Sequence, residues 1–152
     1  MAPAPPQVSL KPCAFKIGTW NINGQQGRRN NKLYSKLPLA VDILQVERLD
    51  LLVITETHST APGLPIPSQA KTLATSVAPQ PPGQRPRASI ALVAINDGSW
   101  SCTDFTDLVP GYAFLARLHH SRSTESFHIL AVYSDNSGSL TSLAAMYQLV
   151  SD

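Results

Sequence analysis

Two short apolar runs each stop abruptly at oxygen-bearing side chains. FKIGTW, from Phe15, is followed by Asn21-Ile22-Asn23-Gly24, and LDLLVIT, from Leu49, by Glu56-Thr57-His58-Ser59. Apolar runs of this length bounded by turn-formers read as buried strands. Between them, from Lys32 to Arg48, the residues Leu33, Leu37, Ala40, Val41, Leu44 and Val46 recur mostly at spacings of three and four, which is one face of a helix. Pro38 interrupts that face, so the helix either begins near Pro38, where a first-turn proline costs no hydrogen bond, or is kinked there. A strand, helix, strand series of this length reads as a parallel crossover, which puts both polar strand ends on one edge of the sheet. In open sheets that edge is where sites gather. Asn21, Asn23 and Glu56 are therefore candidates for a shared site whose hard oxygen donors suit Mg2+ or Mn2+ and suit zinc poorly.

The rest of the chain is read more coarsely. Residues 1–13 form a flexible Pro-rich arm, and residues 14–152 form one domain. Seven prolines between residues 60 and 87 mark a long loop. ASIALVAI, from Ala88, is a third strand closed by a turn at Asn96-Asp97-Gly98. Trp100 to Val109 is ambiguous. Tyr112 to Leu118 and Phe127 to Tyr133 read as an antiparallel pair, and Ser139 to Val150 has the spacing of a short helix. The expected class is α/β, a mixed sheet with helices on one face.

Charge narrows the partners only locally. Twelve Lys and Arg against ten Asp and Glu give +2, too little to argue for nucleic acid or an anionic membrane. Arg28, Arg29 and Lys32, beside Asn30 and Asn31, follow the first polar strand end at once and form a patch able to meet phosphates. The alternative is a solvated loop leading into a helix. Charged residues are only 14% of the chain, against about a quarter in ordinary soluble proteins. This suggests a low-polarity surface or a missing part. Cys13 and Cys102 lack metal-type spacing, which favours reduced thiols. The first residues do not have the pattern of a signal peptide and no run approaches a membrane span. The expectation is a soluble intracellular protein of nucleus or cytoplasm, neither secreted nor membrane-bound.

Taken in order, Trp20-Asn21-Ile22-Asn23-Gly24, Thr55-Glu56-Thr57-His58, the apolar strand from Ala88, and Ala131-Val132-Tyr133-Ser134-Asp135-Asn136 resemble the opening motifs of the endonuclease/exonuclease/phosphatase superfamily. The nearest likeness is to the endonuclease domain of LINE-type retrotransposons, itself similar to abasic-site endonucleases and DNase I. The resemblance implies roughly one half of a four-layer α/β/β/α sandwich and a Mg2+-dependent (or Mn2+-dependent) phosphodiesterase activity on DNA. By position it implies that Glu56 binds the metal with Asn23 near it. Asn21, Tyr133 and Asn136 then serve the scissile phosphate. His58, two residues past Glu56, is either a contact to nucleic-acid backbone or an ordinary exposed histidine. A metal that polarises a phosphodiester oxygen, and neutral donors that reach it, both lower the barrier to cleavage.

The same comparison exposes departures. The family's later motifs, a Gly-Asp-Phe-Asn type segment and an Asp-His pair, do not occur in these 152 residues. Thr55 stands where a glutamine precedes the motif glutamate, Ala88 and Ser89 where glycines precede the third strand, and Asp135 where the fourth motif has proline. The resemblance therefore predicts a truncated or diverged domain with weak turnover or none. The alternatives are a binding module for nucleic acid or a complementary protein half, and a lipid- or sugar-phosphate phosphatase of the same superfamily. With half the fold absent, a sheet face carrying Ile17, Leu52, Ile54, Leu92 and Leu130 would be bare, which predicts a homodimer or a missing carboxyl-terminal half as partner.

Overall fold

A computed structural model describes residues 15–84 and 88–134. The amino-terminal arm, Cys13, Asn136 with its neighbour Asp135, and the helix expected from Ser139 lie outside the described residues. In chain order the elements are β1 (Ile17–Asn21), β2 (Gln26–Arg29), β3 (Lys32–Ser35), α1 (Leu37–Val46), β4 (Leu51–Thr55), β5 (Ala70–Ser76), β6 (Ile90–Ile95), β7 (Trp100–Val109), β8 (Ala113–His120) and β9 (Ser126–Val132). They form a four-stranded mixed sheet in the order β1-β4-β6-β5, a three-stranded antiparallel sheet β7-β8-β9, and the separate hairpin β2-β3. The described fold is mixed α/β and rich in strand.

The helix begins at Leu37 with Pro38 in its first turn, which settles the choice between a start and a kink in favour of a start. Leu37, Ala40, Val41 and Leu44 are its buried stripe, as the spacing predicts. Leu33 is not part of it. It lies in β3 at 60% exposure, because Asn30 and Asn31 both adopt left-handed backbone (φ 51° and 61°) and turn the chain into a tight hairpin. Asparagine tolerates that region better than most residues, so the local preference for a primed turn overrides the helical spacing upstream of Pro38.

β1 pairs in parallel with β4, Asn21 lying opposite Thr55, so the crossover geometry holds. The two faces of the four-stranded sheet are buried separately. Leu52 and Val93, then Ile54 and Ala91, are cross-strand pairs on the face under α1. Leu51, Val53, Ile90, Leu92 and Ala94 look the other way and pack with Trp100, Phe114, Ala116, Leu118 and Ala131 of the three-stranded sheet. Phe15 closes this second core, edge-on to Trp100 and Phe127 with ring centroids 4.9 and 4.4 Å away. Complete burial of a side chain such as Phe114 contributes about 1.5–3 kcal/mol.

The expectation of a bare face is thereby corrected. Leu52, Ile54 and Leu92 are at most 1% exposed, and only Ile17 (48%) and Leu130 (41%) remain open, on different sheets. The ambiguous stretch from Trp100 is the reason, since it forms the strand that starts the covering sheet. The long loop between residues 60 and 87 is corrected as well. It contains β5, which pairs antiparallel with β6 as the edge of the main sheet. The prolines that marked the loop all flank residues 70–76, and none interrupts them. The turn at Asn96-Asp97-Gly98 is found as expected. The Ser99 backbone N–H donates to Asp97 Oδ1 at 2.9 Å, and this bond with the Ser99 hydroxyl holds the carboxyl below its ordinary range. No helix among the described residues is long and apolar enough to cross a membrane.

Candidate functional site

The ladder between β1 and β4 does not stop where the strands do. Ile22 N–H donates to the Thr55 carbonyl (3.1 Å) and Gly24 N–H to the Glu56 carbonyl (2.7 Å), carrying the pairing into both polar tails. On the other side, Thr57 N–H and His58 N–H donate to the Ser89 and Ala88 carbonyls at 3.1 and 3.0 Å. The segment carrying Glu56 is thus held by backbone bonds from both neighbours. Its geometry is unusual, with Glu56 (φ 53°), His58 (φ 54°), Ala88 (φ 57°), Ser89 (φ 71°) and Asn23 (φ 49°) all in the left-handed region. Such backbone costs about 1–2 kcal/mol per non-glycine residue and persists where surroundings over-determine it, as they do at functional sites.

Tyr133, just past β9, donates its hydroxyl to Glu56 Oε1. The tyrosine arrives there through a chain of fastenings. Ser76 Oγ donates to Asp107 Oδ1 (2.6 Å) and accepts from Gly111 N–H (2.7 Å). The Gly111 carbonyl accepts from Ser89 N–H, and the Tyr112 carbonyl accepts from Tyr133 N–H at 2.7 Å. Tyr112 and Tyr133 then stack with ring centroids 6.1 Å apart. Gly111, at φ 84°, is required here, because an added Cβ would come within 2.4–2.7 Å of Ala78. The main sheet and the three-stranded sheet therefore meet at the point that supplies the Glu56 partner.

Asn21 is exposed, and its Oδ1 accepts from Asn23 N–H at 3.1 Å. That turn fixes the Asn21 side chain through its oxygen, and its amide nitrogen is a neutral donor group. Asn23 and His58 line a cleft of about 560 Å3 with Gly24, Gln25, Gln26 and Thr57. The His58 ring lies against Gly24, where a Cβ would sit 3.0 Å from Nδ1. Asn21, Glu56 and Tyr133 are not among the residues lining that cleft, so the sequence candidates divide into an Asn23 and His58 group inside it and a Glu56 and Tyr133 pair beside it, with the Asn21 turn bridging them. Arg28 and Arg29 stand apart on β2 and are exposed.

Two participants were not evident in the sequence. Lys36 Nζ donates to the carbonyls of Ile22 (2.8 Å) and Asn23 (3.3 Å), bracing the loop after β1 from the foot of the helix. Gln25 Nε2 donates to the Thr57 carbonyl (3.1 Å) and to Ser59 Oγ (2.8 Å), tying the two polar tails across the cleft. A polar residue just past the Asn-Ile-Asn-Gly turn was the available signal for Gln25, and Lys36 had none. The Glu56 carboxylate and the Asn23 amide oxygen, on adjoining strand tails, are both hard donors. They fit Mg2+, which keeps several waters and needs one or two protein carboxylates, better than they fit zinc. Among the described residues no group of three or more His, Cys, Asp or Glu side chains converges. The chain matches no protein-family model and no curated protein sequence.

Proposed function

We propose that this chain is a Mg2+-dependent phosphodiesterase-type domain, endonuclease-like towards DNA, of low turnover, built as part of a four-layer α/β/β/α sandwich. The observation that carries the reading is the Glu56 carboxylate at the carboxyl edge of the main sheet, oriented by the Tyr133 hydroxyl, with the Asn21 turn on the neighbouring strand. Glu56 would hold the metal, with Asn23 contributing an oxygen nearby. When bound, the ion supplies charge neutralisation at a phosphodiester oxygen. Tyr133 fixes the carboxylate in one orientation, and the Asn21 amide nitrogen offers a neutral donor to a phosphate oxygen.

A second reading, a module that binds nucleic acid without cutting it, draws on Ala88 and Ser89. Both carry side chains on left-handed backbone where glycine would be unstrained, as in a domain whose catalytic edge has drifted. Nicking of supercoiled plasmid with Mg2+, run beside Glu56→Ala, tests the proposal. Nicking that the variant abolishes supports a phosphodiesterase, and no nicking by either protein sinks it in favour of the binding module.

A further inference from the structure

We infer that the hairpin β2-β3 is a duplex-DNA grip that enters the major groove beside the cleft. This rests on the phosphodiesterase reading for its purpose, but not for the binding itself. The first acidic residue of the chain is Asp42, and residues 26–36 hold Arg28, Arg29, Lys32 and Lys36, four of its twelve Lys and Arg. Whatever meets this hairpin meets cations uncompensated by any neighbouring acid in sequence.

The register distributes those cations over both faces of the ribbon. Arg28 pairs with Leu33 on one face, while Arg29 pairs with Lys32 on the other, beside Gly27 and Tyr34. All four of these charged or apolar pair members are exposed. A ribbon with cations on both faces can reach both phosphate walls of a groove at once, whereas a flat anionic surface would engage one face. Paired strands lie about 4.8 Å apart, so the ribbon with its side chains has the cross-section that a B-DNA major groove about 12 Å wide admits. The major groove of A-form RNA is too deep and narrow for this. Single strands call for aromatic stacking platforms. The one aromatic here, Tyr34, packs on Gly27 of its own hairpin and, though 44% exposed, is a single ring and no platform for successive bases.

The hairpin is also coupled to the site. Gln26, its first residue, lines the cleft. Lys36, directly after β3, bonds the loop carrying Asn23 through its side chain and the Gln25 carbonyl through its backbone N–H at 2.8 Å. A duplex held by the ribbon would therefore have its backbone led towards the Glu56 edge.

The test is fluorescence anisotropy with a short labelled DNA duplex in EDTA, across a salt series. It compares the full chain, Arg28→Gln/Arg29→Gln/Lys32→Gln and Lys71→Gln, with thermal melts confirming that each is folded. The triple variant is expected to bind roughly 10–100-fold more weakly at low salt, with the log–log salt slope reduced by about three, while Lys71→Gln, an exposed cation on β5, binds as the parent does. Replacing both arginines by lysine should restore most of the binding. Absence of duplex binding, a triple variant with unchanged slope, or equal affinity for a single strand, an RNA duplex or phosphatidylserine vesicles would overturn the inference. If Glu56→Ala fails to alter nicking while the hairpin variant loses the duplex, the phosphodiesterase reading falls and the grip stands.

Discussion

The Tyr133 hydroxyl donates to the Glu56 carboxylate across 77 residues of sequence. It joins the end of the last described strand of one sheet to the end of an inner strand of the other, so the candidate site and the packing of the two sheets depend on the same contact.

Tyr133→Phe should therefore act on both. Removing the donor leaves a half-buried carboxylate short of one hydrogen bond, which costs about 1–2 kcal/mol. Urea unfolding of the single and double variants with Glu56→Gln should show clear coupling. Additive losses would mean that the contact contributes nothing.

Gly111→Ala should be the more disruptive change. Left-handed backbone and the approach to Ala78 together predict a loss of about 2 kcal/mol or more. The loss should appear as a lower urea midpoint. A neutral result would contradict the fastening of Tyr112 and Tyr133 through this turn.

Ala88→Gly should run the other way, relieving left-handed strain to a net gain of about 1 kcal/mol after the extra freedom of the unfolded chain is counted. Ser89→Gly should gain little or nothing. The Ser89 hydroxyl accepts from Ala78 N–H (2.9 Å) and donates to the Ser59 carbonyl (3.1 Å), and both bonds would be lost. Thermal melts of the two variants compare these opposed effects directly.

Much of this arrangement follows from local sequence pattern, and the parts that do not follow have identifiable causes. The parallel placing of the two polar strand ends, the buried stripe of the helix and the hairpin into β9 were all signalled by short-range periodicity and turn chemistry. β5 was obscured because prolines on both sides outweighed seven unbroken residues. The covering sheet was obscured because β7 carries bulges after Cys102 and Asp107 that break its alternation. Lys36 acts on backbone carbonyls alone, and such partners leave no mark in a residue pattern, while Gln25 was marked only by its place after the Asn-Ile-Asn-Gly turn.

Cys102 offers a check on the second core. Burial raises its thiol above the ordinary value, outweighing its bond to the Asp104 carbonyl. In a Cys13→Ser background it should alkylate more slowly than free cysteine at neutral pH. The folded state holds this proton more tightly than the unfolded one. Its contribution to stability is therefore complete below the unfolded thiol's pKa and is lost as pH rises through the folded value. Alkylation at the rate of free cysteine would contradict that burial.

The most direct measurement is Mn2+ titration of the amide-labelled protein by NMR, in the parent chain and in Glu56→Gln. Paramagnetic broadening should centre on Glu56 and on Asn21 to Gly24 together and should vanish from both segments in the variant. Broadening at only one segment, or broadening at both that Glu56→Gln leaves unchanged, would show that the two strand ends do not share a metal.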